Sequence, residues 1–169
     1  MFNALCYFVR SQWYWLAMIV AGVIMEAVAL YYQYGLNYGP CVLCIHIRIW
    51  VMAFILLGIL GLLGHKSRPI SLFISLLTVI AAIGLTERSW LTFAIERHLT
   101  EGSCSMGSGL PDWFALDKWF PAVFEPWELC GWTPELLFGI TMAEALMVVG
   151  PVAIIITLFT TYALYKKEK

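Results

Sequence analysis

Residues 42–69 read VLCIHIRIWVMAFILLGILGLLGHKSRP, and residues 70–85 continue as ISLFISLLTVIAAIGL. About 20 largely apolar residues are needed for a helix to cross about 30 Å of hydrocarbon. Two such runs separated only by Gly64-His65-Lys66-Ser67-Arg68-Pro69 form an antiparallel helical hairpin across a bilayer, with the glycine ending one helix and the proline starting the next on the same side. Working outward, two further runs qualify, so spans are expected at about 14–34, 42–63, 70–88 and 136–158. Composition agrees: the 169 residues are 62% apolar and 12% charged, with a mean hydropathy of +0.82. A soluble domain carries about a quarter charged residues and lacks the interior to hide this much Leu, Ile, Trp and Phe. The expected fold is therefore an all-α membrane protein, a bundle of four transmembrane helices in one integral membrane domain over 1–169, with a long loop between helices 3 and 4. The formal charge of −1 supplies no basic field for nucleic acid.

Orientation follows from where the charges sit. Glu87 to Glu135 is the only stretch of soluble composition, with three basic residues (Arg88, Arg97, Lys118) against eight acidic ones. Arg10, Lys66, Arg68, Lys166, Lys167 and Lys169 fall at the N-terminus, the hairpin turn and the C-terminus, which a four-span chain puts on one face. The positive-inside rule makes that face cytoplasmic and puts the loops at about 35–41 and 89–135 outside. A cleavable signal peptide, with Ala27-Val28-Ala29 as its cleavage site, is the competing reading of the first span. Against it, the apolar run is too long and continues through Leu30 and Tyr31. Trp13, Trp15, Tyr31, Tyr32, Tyr34, Trp90 and Trp132 cluster near span ends, as interfacial aromatics do. Leu116 to Phe124, with Lys118, Trp119 and Phe120, is read either as a short amphipathic helix on the outer surface or as an ordinary loop turn.

This topology sets four of the five cysteines on the oxidising side and leaves Cys6 in the cytoplasm. Cys41 and Cys44, in Pro40-Cys41-Val42-Leu43-Cys44, open the second span at i and i+3. Sulfurs on one first turn can close a disulfide. Unpaired N–H groups and the positive helix end favour a thiolate there, and Arg48, one turn past Cys44, adds a fixed charge. A bridge over so short a loop removes little chain entropy, so redox cycling is favoured over a plain staple or a metal site. Cys104 and Cys130 enclose Ser105 to Leu129, a segment whose closure is worth roughly 3 kcal/mol as a structural staple. The flanks Gly102, Ser103, Ser105, Gly107, Ser108 and Gly109 argue instead for an exposed sulfur within reach of another protein's thiol. Zinc suits these four poorly, since only one CxxC exists. Arg48 reads either as a snorkelling cation or as a ligand-binding and thiolate-stabilising group. Glu26 lies deep in the first span, where a charge costs at least a few kcal/mol, so it is expected to be protonated or to face the bundle interior, with a proton-handling role as the alternative reading.

Two thiol pairs on one face suggest a relay through a mixed disulfide. There is no CxxCH haem motif and no dinucleotide fingerprint, so the terminal acceptor must come from the bilayer, and a lipid-soluble quinone fits. With these features together, the chain resembles the DsbB family, disulfide bond formation protein B of bacterial inner membranes. The likeness covers essentially the whole chain: the four-span layout, Pro40-Cys41-Val42-Leu43-Cys44 with Arg48, the loop pair Cys104 and Cys130, and Leu116-Asp117-Lys118-Trp119. The DsbA–DsbB–quinone system is already known to keep the bacterial periplasm oxidising.

The resemblance implies a quinone-dependent protein-dithiol oxidoreductase in the inner membrane. It implies that a reduced DsbA-like, thioredoxin-like periplasmic partner attacks the Cys104–Cys130 bridge at Cys104, and that electrons pass to Cys41 and Cys44. It further implies that the Cys44 thiolate engages ubiquinone or menaquinone with help from Arg48, and that the respiratory chain reoxidises the quinol. Two departures bear on the quinone contacts: Ile47 stands where the family often has Glu or Gln, and no His occurs in Leu85 to Ile95. The competing readings are a vitamin K epoxide reductase-like enzyme, whose CxxC lies late in the bundle, and a non-catalytic tetraspan protein with structural disulfides.

Overall fold

The structure is a computed structural model that describes residues 11–100, 109–128, 130–131, 133–137 and 139–166. Cys6, Arg10, Cys104 with its flanks up to Ser108, Trp132, Lys167 and Lys169 lie outside the described residues. Among the described residues, four helices are long and apolar enough to cross a membrane. They are α1 (Gln12–Leu30), α2 (Val42–Gly64), α3 (Arg68–Glu96) and, after the long loop, α6 (Met142–Tyr165). The loop carries a 3₁₀ turn (Asp112–Phe114), two four-residue helices, α4 (Leu116–Trp119) and α5 (Pro121–Phe124), and a small hairpin of β1 (Glu135–Leu137) with β2 (Ile140–Thr141).

Local chemistry sets the helix starts. The Ser11 side chain accepts from the Trp13 N–H, and Pro69 occupies the first turn of α3. Thr141 and Glu144 form a reciprocal capping box at the head of α6. That box moves the start of the fourth helix past the expected residue 136: Glu135–Leu137 and Ile140–Thr141 pair as the hairpin instead, with Gly139, whose φ is +76°, ahead of the second strand. At the other extreme α3 runs well past residue 88 to Glu96, because nothing in Leu85 to Ile95 breaks a helix and the polar residues there find partners. Leu116 to Phe124 is helical in two short turns rather than an open loop.

The helices pack in chain order, α1 on α2, α2 on α3, and α3 on α6. Ile47, Val51, Phe54, Ala81, Ala82 and Leu85 form the central core, and Tyr14, Trp15 and Ile74 a second cluster nearer the hairpin turn. Close approach of α1 and α2 depends on Gly61, where an added Cβ would fall 2.1 Å from the Trp15 ring. Large apolar residues such as Val23, Leu63, Phe73 and Ile155 face outward, the surface of a chain solvated by lipid. Inside, hydroxyls satisfy themselves: Ser89, Thr92 and Thr160 donate to carbonyls one turn back, and Ser75 and Thr161 join α3 to α6 at 2.7 Å.

Candidate functional site

At the end of the bundle away from the hairpin turn, α1 passes into a π-helical segment, Tyr31–Gly35. The wider turn shifts the face of the chain, and Gln33 is fully buried there. Gln33 meets Arg48 of α2. The Arg48 guanidinium donates through Nη1 to Gln33 Oε1 at 2.6 Å and to the Val123 carbonyl at 2.9 Å, and through Nη2 to the Ala29 carbonyl at 3.1 Å. Gln33 Nε2 and the Tyr34 hydroxyl both donate to the Ala122 carbonyl. Arg48 is 6% exposed, so it does not snorkel; it clamps α1, α2 and α5 together. Sequence alone singled out Arg48 and missed Gln33. The one available signal was a polar amide among the aromatics closing a span.

Cys41 is the N-cap of α2, its Sγ accepting from the Cys44 N–H at 3.2 Å. The hydrogen bond from the Cys44 side chain, aided by backbone N–H groups, holds the Cys41 thiol below its ordinary range against the opposing effect of burial. The cap position sets the Cys41 sulfur against the free N–H groups of the helix start. Both are free thiols, while Cys130 is disulfide-bonded.

The loop is stitched to this helix start by its backbone. The Trp127 N–H donates to the Pro40 carbonyl at 3.0 Å, and Cys41 and Glu128 form an isolated parallel bridge. Gly39 permits the approach, since a Cβ there would lie 2.7 Å from Trp127 Cβ and 3.0 Å from Glu128 Cγ. Two residues on, Cys130 packs with Cys44 and Leu91 against the cluster of Cys41, Leu43 and Ile95. The structure thus brings Cys41, Cys44, Cys130 and Arg48 to one end of the bundle. Cys104 lies outside the described residues.

Beside the cysteines is a cavity of about 230 Å³ between the ends of α1, α2 and α6. Cys44, rather than Cys41, lines it, with Arg48, Glu26, Tyr32 and Tyr38 as its other titratable or charged groups; Ile47, Val51, Leu146 and Val149 represent the largely apolar wall. Thr133, on its rim, donates to Glu96 at 3.0 Å, and Thr141 does so at 3.2 Å, which ties the end of α3 to the head of α6. That acid was not anticipated, because its partners are 37 and 45 residues away.

The chain matches the family described as disulfide bond formation protein DsbB over residues 11–160. It is 36% identical over 135 residues to disulfide bond formation protein B 2 of Pseudomonas aeruginosa, covering 79% of this chain and 80% of the relative. It is 34% identical over 147 residues to disulfide bond formation protein B of Shewanella loihica, covering 86% of each. A Shewanella sp. protein of the same name is 33% identical over 157 residues, covering 92% of this chain and 90% of the relative. A match of this extent, on a bundle with four membrane-spanning helices and a cysteine pair capping the second, means that the chain belongs to the DsbB family of disulfide-forming, multi-pass membrane proteins.

Proposed function

We propose that this chain reoxidises the dithiol of a periplasmic thioredoxin-like, DsbA-like partner and passes the electrons through Cys104–Cys130 and Cys41–Cys44 to a membrane quinone. The observation that carries this reading is the seat of Cys41: the backbone bridge at Glu128 leads Cys130 to one side of it, while Cys44, on the same turn, opens onto an apolar cavity beside Arg48. A relay of sulfurs needs both contacts at once.

In this reading a partner thiolate attacks Cys104 and breaks the Cys104–Cys130 bond, leaving Cys130 as a thiolate. Cys130 attacks Cys41 and breaks the Cys41–Cys44 bond, freeing Cys44. The partner's second thiol resolves its bond to Cys104 and departs as a disulfide, and Cys104 then takes back Cys130 and releases Cys41. Net, the partner loses two electrons and two protons, and Cys41 and Cys44 hold them as a dithiol.

The residues around the cavity fit a quinone, which combines a flat apolar ring with two carbonyl oxygens. Ile47, Val51 and Leu146 offer the apolar wall, and Arg48 a donor held in place by three acceptors. When bound, ubiquinone or menaquinone supplies a two-electron acceptor, and the respiratory chain reoxidises it. Arg48 would hold the quinone by an oxygen, and Cys44 would supply the thiol in the same cavity. The protein resides in the bacterial inner membrane with both termini and the 64–69 turn in the cytoplasm.

Thiol trapping after mixing with a reduced DsbA-like partner tests the path. All four cysteines should pass through the reduced state and return to disulfides only with quinone present; cysteines that never change state would defeat the reading. Impermeant maleimide should label Cys41, Cys44, Cys104 and Cys130, after reduction, from the periplasmic side alone.

A further inference from the structure

Glu26 is the one acidic residue of α1, and the relay just proposed has no use for it. It lies one turn deeper than Ala29 on the same helical face, and Ala29 gives its carbonyl to Arg48. Its Oε1 is buried and has no hydrogen-bond partner among the described residues. Glu26, Cys44 and Arg48 line the same cavity. An unsatisfied carboxylate at that depth costs at least a few kcal/mol, which a purely structural site would shed by substitution with Gln or Leu. The cost is tolerable when the group is a neutral acid facing a cavity where a proton is required.

The chemistry of the cavity has that requirement. Oxidation of the Cys41–Cys44 dithiol releases two electrons and two protons, and a quinone needs two of each to become a quinol. Ile47, Val51 and Leu146 would shield a ring bound in this cavity from water on that side. We propose that Glu26 is the proton-transfer residue of this site, giving a proton to the quinone oxygen in the cavity and regaining one from the Cys41–Cys44 dithiol. As the S–S bond forms between Cys41 and Cys44, both electrons pass to the quinone and Glu26 goes through this cycle twice, handing on one proton of the dithiol each time, so the quinone gains two electrons and two protons and Glu26 ends each turnover protonated as it began. Arg48 stabilises the carboxylate that exists between the two transfers. The charged and titratable groups around the cavity wall are Cys44 and Arg48 from α2, Tyr32 from the π-helical segment and Tyr38 from the loop after it; α3 and α6 contribute none.

This inference rests on the quinone reading, so the test separates the two. Purified protein in lipid discs is titrated with ubiquinone while tryptophan fluorescence and the infrared carboxylic acid C=O stretch are followed; steady-state turnover with a reduced partner is measured in parallel. Wild-type protein should bind ubiquinone and show a carboxylic acid band that shifts on binding. Glu26→Gln should lack that band, bind ubiquinone within about twofold of wild type, and lose about 100-fold in kcat. Glu26→Asp, which keeps a titratable group, should move the band and recover a tenth or more of the rate. A wild type that binds and reduces ubiquinone while Glu26→Gln does so equally fast overturns the role of Glu26 and leaves the relay standing. A band that is insensitive to ubiquinone does the same. Failure of wild-type protein to bind any quinone defeats the parent reading, and this inference with it.

Discussion

Each end of the bundle is closed by an arginine that reaches across to backbone carbonyls, and the two do different things. At the hairpin end Arg68 donates from Nε and Nη2 to the Leu164 carbonyl at 3.2 and 3.0 Å, and to the Tyr165 carbonyl at 2.8 Å. Those are the orphan acceptors of the last turn of α6, where a cation is favoured by the helix dipole. At the cysteine end Arg48 gives its donors to the last turn of α1, to an amide buried by a π-turn and to the loop helix α5. Arg68 finishes a helix that would exist without it. Arg48 joins three segments at one point, and a cavity and a thiol sit beside it. Position among partners, more than residue type, separates a stitch from a site residue.

Cys44→Ser gives the largest expected difference between the two ends. Turnover of the partner dithiol should vanish while the unfolding midpoint stays near wild type, as measured by partner oxidation and thermal unfolding in detergent. Residual catalytic oxidation would remove Cys44 from the path. Arg48→Ala comes next, because each buried acceptor it strands costs about 1–3 kcal/mol and the cavity loses its cation. Both stability and the quinone KM should suffer, with Arg48→Lys restoring only part, since an ammonium lacks the planar fork. An unchanged KM would reduce Arg48 to a second Arg68.

Gly39→Ala is expected to be smaller and more specific. The added methyl displaces Trp127 and Glu128, and a shift of about 1 Å is enough to slow transfer between Cys130 and Cys41 by about 10–100-fold. The quinone KM should be unaffected. Single-turnover thiol trapping would show loop cysteines reduced normally with Cys41 and Cys44 lagging; normal transfer would mean the backbone bridge is incidental.

Titration of thiolate absorbance at 240 nm in the reduced protein addresses the cap. Because Cys41 is held below its ordinary range, its thiolate should persist to lower pH than that of a free cysteine, and Cys44→Ala should move this edge upward by removing the largest stabilising contact. An edge that does not move would mean that the cap N–H groups alone set it. Smallest of all, Arg68→Ala should cost about 1 kcal/mol of stability and leave every kinetic constant unchanged.

The legible part of this molecule was the part governed by composition and local spacing. The hydropathy of residues 42–85 and the six-residue turn within it imply the hairpin, since a bilayer admits helices and little else. Pro40, Cys41 and Cys44 at a helix start imply redox-active sulfurs, and Glu26 stood out because acids are rare at that depth. The differences were local too: Thr141 and Glu144 spell a capping box, which starts the fourth helix later than hydropathy alone predicts.

Sequence by itself determined the class and the four apolar helices and set Cys41 and Cys44 at a helix start, because hydrophobic length, helix caps and i, i+3 spacing act over a few residues. Only the tertiary structure decided that Gln33 and the Val123 carbonyl would hold Arg48, that Glu128 would pair with Cys41, and that Glu26 would share a cavity with Cys44. Those partners are separated along the chain by 15, 75, 87 and 18 residues respectively. No periodicity reaches so far; helix packing and the path of one loop bring them together.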